Sequence, residues 1–293
     1  MARSRDWRIH IGVHKTATTH LQQVLQRVSE QQAARGTRII PHDHAIAATR
    51  VAAGRKRGIR DVRRTARLVL HHVPLLQAQI AGAQRVVLSS EDVLGWATGL
   101  LEAPFYPSLR GLDLFRYFPG IGTPKVYIGV RSYEALLVSS YFEILRTRMI
   151  PADAVRQSAE KILEGQSGWP NLLDRIQARL PGAQIHFWAF EDYRDDGLSI
   201  LRAFLGDPEV EMPSIDAADS RVSPGMTAID AVGKLDPSLP LKAWRREVEQ
   251  IYADNPRQDG EVLTLIPGSV REALQARYLD DLSQLDGTFT RLR

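Results

Sequence analysis

Short apolar runs alternate along the chain with longer segments whose apolar residues recur every three or four positions. "WRIHIGV" (7–13), "GTRIIP" (36–41), "QRVVLSS" (84–90), "KVYIGV" (125–130) and "AQIHFWAF" (183–190) are five to eight residues long and rich in β-branched or aromatic side chains, which predicts five strands. Between them, Thr18 to Arg35 carries Leu21, Val24, Leu25 and Val28 on one helical face. Further helices are predicted over about Asp61 to Ala81, Tyr133 to Arg148 and Trp169 to Leu180. Strand–helix alternation of this kind predicts an α/β fold, a parallel sheet flanked by helices on both faces. In such sheets ligands bind outside the C-terminal strand ends.

No long Ser/Gly linker or internal repeat divides the chain, so residues 1–293 read as one domain. Its core runs over about 8–206. From there to residue 293 the pattern is less regular and mostly helical, with prolines at 237, 240, 256 and 267, and reads as a C-terminal cap.

Composition changes this picture little. The hydrophobic fraction of 44% and charged fraction of 25% are ordinary for a globular protein, and 293 residues can bury one sizeable core. Cysteine is absent, which removes disulfides and thiolate metal sites and fits a reducing compartment. With no apolar h-region at the start and no 18-residue apolar run, the expectation is a cytoplasmic protein without a transmembrane segment.

Charge is more informative in its distribution than in its total of +4. The stretch from Arg50 to Arg67 holds eight basic residues and one Asp; without it the chain has 30 basic and 33 acidic residues. Such a run reads first as a solvated helix face, and alternatively as a dock for an anionic acceptor or an acidic membrane. No aromatic is interleaved to stack on bases, so nucleic acid is not expected as a partner.

The stretch "RIHIGVHKTATTHLQQVLQ" (8–26) passes from a strand through a loop into a helix, where backbone N–H groups and the helix dipole favour an anion. It resembles a P-loop, G-x-x-x-x-G-K-[ST], only in part. Gly12 and Thr19 are in register, but Ala17 replaces the second Gly, Thr18 replaces the Lys, and the lysine stands three positions early at Lys15. Thr16, Thr18 and Thr19 offer hydroxyls, and the loop can grip one phosphate while placing an ammonium beside the bond to its neighbour.

"HKTATT" (14–19) is similar to the 5′-phosphosulfate loop of the sulfotransferases that use 3′-phosphoadenosine 5′-phosphosulfate (PAPS), whose usual form is K-[ST]-G-T-T. Ala17 stands for the customary Gly, a change that suits a helical backbone and strains one with positive φ. The family follows its fourth strand with an Arg and, eight residues on, a Ser. "VYIGVRSYEALLVSSYF" places Arg131 and Ser139 at that spacing, with Ser132–Tyr133 replacing the usual acidic-or-Asn plus Pro. "FWAFEDYRDDGLSILRAFLG" (187–206) is similar to the family's late strand, aromatic-Glu-Asp turn and helix end, with Phe190 as the aromatic. The resemblance spans about Ile9 to Gly206.

That resemblance implies a P-loop-like sulfotransferase fold and PAPS as donor, with no metal required. His14, Lys15, Thr16, Ala17, Thr18 and Thr19 would form the phosphosulfate loop. Arg131 and Ser139 would hold the 3′-phosphate, with Phe190 near the nucleotide and Arg221, in "SRVSPGM", as a late basic residue over the 3′-phosphate. Lys15 would serve catalysis by meeting charge on the leaving phosphate. For the general base the alternatives are Glu91, in "VVLSSED", and His42 or His44, in "PHDH". Glu91 has a plain structural reading as a helix cap, as does its neighbour Ser90. The plain structural reading of Arg131 is a surface salt bridge, which its place after a strand makes the weaker one, and that of Phe190 as a lone aromatic is core.

The implied acceptor is a hydroxyl or amine on a small molecule, a carbohydrate or a lipid-linked glycan. "FYPSLRGLDLFRY" (105–117) and "YFEILRTRMI" (141–150), which mix aromatics with Arg, are candidate pocket walls or ordinary half-buried helices. Two other readings stay open: an ATP-dependent kinase with an aberrant P-loop, and a nucleotide- or polyanion-binding module without chemistry.

Overall fold

The computed structural model describes residues 5–53, 66–118, 121–211, 213, 223–263 and 265–293. In chain order the regular elements are β1 (Asp6–His10), α1 (Thr18–Ala34), β2 (Thr37–Ile39), α2 (His42–Ala53), α3 (Val73–Gln79), β3 (Arg85–Ser89), β4 (Lys125–Val130), α4 (Tyr133–Leu145), α5 (Asp153–Leu163) and α6 (Trp169–Arg179). There follow β5 (Gln184–Ala189), α7 (Phe190–Asp195), α8 (Gly197–Leu205), α9 (Met226–Val232), α10 (Leu241–Asp254), α11 (Gly268–Thr288) and β6 (Thr290–Arg291).

Among the described residues six strands pair in parallel in one sheet, in the order β2-β3-β1-β4-β5-β6. Helices cover both faces, which is why β3 and β4 are near-continuous apolar runs, with Val86 to Leu88, Val126, Ile128 and Val130 buried; in β1 the buried Trp7 and Ile9 alternate with the buried polar Arg8 and His10. One face packs the larger apolar cluster around Ile9, Leu88 and Ile128; the other packs Leu21, Val24, Leu25 and Val28 of α1 against Val87, Tyr127 and Trp188. The chain leaves β1 toward β2 on one side and leaves β4 toward β5 on the other. A crevice therefore opens between the C-terminal ends of β1 and β4, the switch point where such sheets bind ligands.

Half-buried charge ties the first half of β1 down. Asp6 accepts from Arg8 Nε and Arg85 Nε, both at 2.9 Å. Its burial raises its pKa, but the hydrogen bonds from Arg85 and Arg8 win and lower it to about 2. Arg8 also donates to the carbonyls of Ala203 and Phe204 at the end of α8, at 2.8 and 2.9 Å, satisfying groups a helix C-terminus leaves open.

Several elements differ from the sequence pattern. The "HDH" of "PHDH" forms the first turn of α2, a helix that the sequence pattern did not predict, with Asp43 favourably placed there. Of the helix predicted over 61–81, residues 61–65 lie outside the described residues; the remainder contains a π turn at Leu68–His72 followed by α3. The segment between β3 and β4 is built from 3₁₀ turns at Glu91–Val93, Ala97–Leu101 and Arg110–Tyr117. Beyond residue 206, Thr290–Arg291 returns to the sheet as β6 beside β5. Helix α10 docks on the end of α4, where Trp244 Nε1 and the Tyr252 hydroxyl each donate to a carbonyl, of Leu145 and Phe142, at 2.7 Å. Among the described residues no helix is long and apolar enough to cross a membrane.

Candidate functional site

The loop from β1 to α1 is wound tightly around its own carbonyl. Thr16 Oγ1 and Thr18 Oγ1 both donate to the Val13 carbonyl, at 2.7 and 3.2 Å. A side chain at Gly12 would sit 2.7 Å from Thr18 Cγ2 and Oγ1, so the loop can close only over a glycine. On the neighbouring strand, a Cβ at Gly129 would lie 3.1 Å from Thr16 and from the Trp188 indole nitrogen. The winding drives two non-glycine residues into left-handed backbone, Lys15 at φ 70° and Ala17 at φ 64°. Ala17 therefore occupies the conformation that the usual Gly would take without strain, at a cost of about 1–2 kcal/mol. It begins α1 with no side-chain cap, so the first N–H groups of that helix remain donors facing the loop. Thr19 is exposed, while Thr16 and Thr18 are buried.

Arg131 comes up from the end of β4 and closes the crevice. Its Nη1 donates to the Lys15 carbonyl at 2.8 Å, which locks the two strand ends together. The guanidinium lies 4.3 Å from the centre of the Phe190 ring, a cation–π contact. Its Nε is a buried donor with no partner. Burial lowers the Arg131 pKa, yet the group stays charged. Trp169 Nε1 donates to the Arg131 carbonyl at 3.0 Å and fixes the backbone there.

Lys15, Arg131 and Ser139 line one cavity of about 320 Å³ at this crevice. Arg146, at the C-cap of α4, and Arg257, from the segment after α10, share its wall with the carboxylates of Glu134 and Glu143. Lys15 Nζ is 3.4 Å from Glu143, which Arg146 Nε also approaches at 3.5 Å. Arg257 is oriented by the Glu261 carbonyl, which accepts from both Nε and Nη2. Arg146 falls in the 141–150 stretch that mixes aromatics with Arg, whereas Arg257 was missed because no motif marks it and tertiary packing alone brings it here. Arg221 lies outside the described residues, as does most of the Arg50 to Arg67 stretch.

His14 turns away from solvent. Its backbone N–H donates to the Tyr106 hydroxyl at 3.2 Å, and the same hydroxyl is hydrogen-bonded to His14 Nδ1 at 2.9 Å. Burial lowers the His14 pKa to about 4, so the ring is neutral at pH 7. Burial raises the Tyr106 pKa, with the charge of Glu91 adding to the effect. Beneath the loop, His10 accepts or donates at Nδ1 with Ser89 Oγ (2.9 Å), stacks on Trp188 at 5.4 Å, and has its pKa lowered to about 3 by complete burial.

On the other side of the start of α1 a second cavity, of about 640 Å³, brings together Thr19, His42 and Glu91. Glu91 opens the 3₁₀ turn after β3, and Ser90 makes no side-chain cap there; its hydroxyl instead meets Thr49 Oγ1 at 3.0 Å. His44 is directed elsewhere, hydrogen-bonded to Gln79 and 3.8 Å from Asp43, and does not line this cavity. In the segment 105–117 Phe105, Tyr106, Leu112, Leu114 and Phe115 are buried core. In 141–150, Phe142, Glu143 and Arg146 line the first cavity. Among the described residues no three His, Asp or Glu side chains gather as a metal site.

No protein-family model matches the chain, and no curated protein matches it in sequence. Among solved structures it is similar to a sulfotransferase from Alicyclobacillus acidocaldarius, with 15% identity over 98% of this chain and 96% of that one and a TM-score of 0.49.

Proposed function

We propose that the chain transfers a sulfuryl group from PAPS to a hydroxyl or amine of a small-molecule, glycan or lipid-linked acceptor by in-line displacement. One observation carries the reading: Lys15, Arg131 and Ser139, the residues of two separate motifs, line a single cavity at the β1–β4 crevice. The residues suit the donor. Arg131 offers a buried Nε without a partner, a fork that matches a phosphate. With Lys15, Arg146 and Arg257 the wall has four cations against the two carboxylates of Glu134 and Glu143, a net attraction for an anion. The amides opening α1 would hold the 5′-phosphate side, Arg131 and Ser139 the 3′-phosphate, and Phe190 the nucleotide's flat face.

When bound, the phosphosulfate supplies a sulfuryl group activated by its bond to phosphate. Lys15 meets the negative charge that grows on the leaving oxygen, an interaction worth a factor of about 10² to 10³ in rate. Glu91 takes the acceptor's proton, a contribution of about 10² to 10⁴. His42, on the same cavity as Glu91, is the alternative base. The Lys15–Glu143 ion pair must yield as the ammonium turns to the donor, and it also favours a second reading, a nucleotide-binding protein without transfer.

The deciding measurement is calorimetric titration with 3′-phosphoadenosine 5′-phosphate (PAP), AMP and ADP. PAP should bind much more tightly than AMP or ADP, and Arg131→Ala should weaken PAP selectively by about 1.5–3 kcal/mol, the value of a hydrogen bond to a charged group. Equal affinities for the three nucleotides would remove the donor assignment. Labelled PAPS with an acceptor panel separates transfer from binding alone.

A further inference from the structure

The second cavity has a chemistry opposite to the first. Helix α1 lends it Thr19, Gln22, Gln23, Gln26 and Ser29, spaced three and four apart on the face away from the buried Leu21, Val24 and Val28. The exposed Arg27 and Glu30 continue the solvated face of the helix, but the five residues that line the cavity are uncharged and rich in hydrogen-bonding groups. Each carboxamide both donates and accepts, as a sugar hydroxyl does. Gln22 adds a buried Nε2 donor that has no partner in the protein. Ile39 and Pro41, at the end of β2, contribute an apolar surface of the kind that packs on the C–H face of a sugar ring. Among the described lining residues the ionisable members are Asp43, Glu91 and His42, with no Lys or Arg, so this described wall is acidic where that of the donor cavity is basic. Anionic groups are repelled from such a wall, and its many polar atoms penalise a purely aromatic alcohol, which would leave them unpaired.

Resting on the sulfuryl-transfer reading, we infer that the cavity between α1 and the ends of β2 and β3 is the acceptor site and that its acceptor is an uncharged, polyhydroxylated molecule of the sugar class. The start of α1 separates the two cavities, with Lys15 on one side and Thr19 on the other, only four residues apart. Glu91 stands on the acceptor side of that divide, where an acceptor hydroxyl needs a base. The balance is simple: the hydroxyl oxygen bonds to sulfur, the bridging S–O bond breaks with its electron pair leaving on phosphate, and the hydroxyl proton passes to the carboxylate.

The test uses the full chain without donor, titrated by saturation-transfer NMR with maltose and methyl β-galactoside, with glucose 6-sulfate and glucuronic acid as anionic probes and 2-naphthol as the aromatic alcohol. Neutral sugars should bind, and the anionic sugars should bind at least about 10-fold more weakly. Removing two amide partners in Gln22→Leu/Gln26→Leu should weaken maltose about 10-fold or more. The exposed single variant Gln26→Leu should move it in the same direction, and PAP affinity, measured by calorimetry, should stay unchanged in both and report an intact fold. Sugar binding that survives these substitutions, anionic sugars bound as tightly as neutral ones, or 2-naphthol bound in preference to sugars would each overturn the inference. An absence of sugar binding with PAP selectivity intact overturns the acceptor class alone. Sugar binding without PAP selectivity overturns the donor reading, and with it the acceptor role of this cavity.

Discussion

Two histidines make the protein sensitive to mild acid, because both must stay neutral in the fold. His10 is fully enclosed beneath the loop, with its pKa lowered from 6.5 to about 3 by burial. His14 is lowered to about 4, by burial first and by the Lys15 charge to a lesser extent, with Glu143 acting in the opposite direction. Below pH 6.5 the unfolded chain takes up these protons and the folded chain does not. Their contribution to stability is therefore complete above about pH 6.5 and is lost as pH falls toward 4 and then 3. At 1.36 kcal/mol per pH unit, each imidazole costs about 2 kcal/mol at pH 5, so the pair removes about 4 of the ~5–15 kcal/mol that holds a domain together. Urea unfolding of wild type and His10→Gln at pH 7 and pH 5 isolates the first. Gln keeps a polar partner for Ser89 Oγ but cannot titrate, and the other histidines whose pKa burial lowers, His20, His72 and His186, are common to both chains. Wild type should lose about 2 kcal/mol more than the variant between the two pH values. Parallel losses would mean that the folded protein protonates His10, and that the ring is not sealed beneath the loop.

Lys15→Ala should lower kcat by about 10² to 10³ while weakening PAP much less, since charge on the leaving oxygen peaks only as the bond breaks; an unchanged kcat with a raised KM would make Lys15 a binding residue. Glu91→Gln should keep PAP affinity and thermal stability while cutting kcat at least about 10²-fold at saturating donor and acceptor. Retained turnover would move the base to His42, the other titratable candidate on that cavity. Gly12→Ala places a methyl 2.7 Å from Thr18 and should destabilise the chain by about 1–3 kcal/mol in urea unfolding, with loss of PAP affinity as the loop opens; unchanged values would contradict the tight winding around Val13.

The alternation of strands and helices was written in the sequence because it is a local signal. Buried parallel strands must be apolar on both faces, so "KVYIGV" reads as a strand and is one, Lys125–Val130. The 3.6-residue period of Leu21, Val24, Leu25 and Val28 likewise marks the buried face of α1. Local signals failed where long-range packing supplies the stability. Thr290–Arg291, two residues long, forms a strand only because β5 offers an edge, and the 3₁₀ turns after β3 are shaped by the core they enclose. The candidate site divides in the same way. Resemblance to the sulfotransferase loop, and to the Arg and Ser that follow that family's fourth strand, pointed to Lys15, Arg131 and Ser139, because such motifs are contiguous and are read along the chain. Arg257, Arg146, Tyr106 and the amide stripe facing Glu91 carried no such mark. Each meets its partners across a distance in sequence that only the crossing of the chain from β3 to β4 and the docking of the C-terminal helices could close, because charge and hydrogen bonding act through space while motifs are read along the chain.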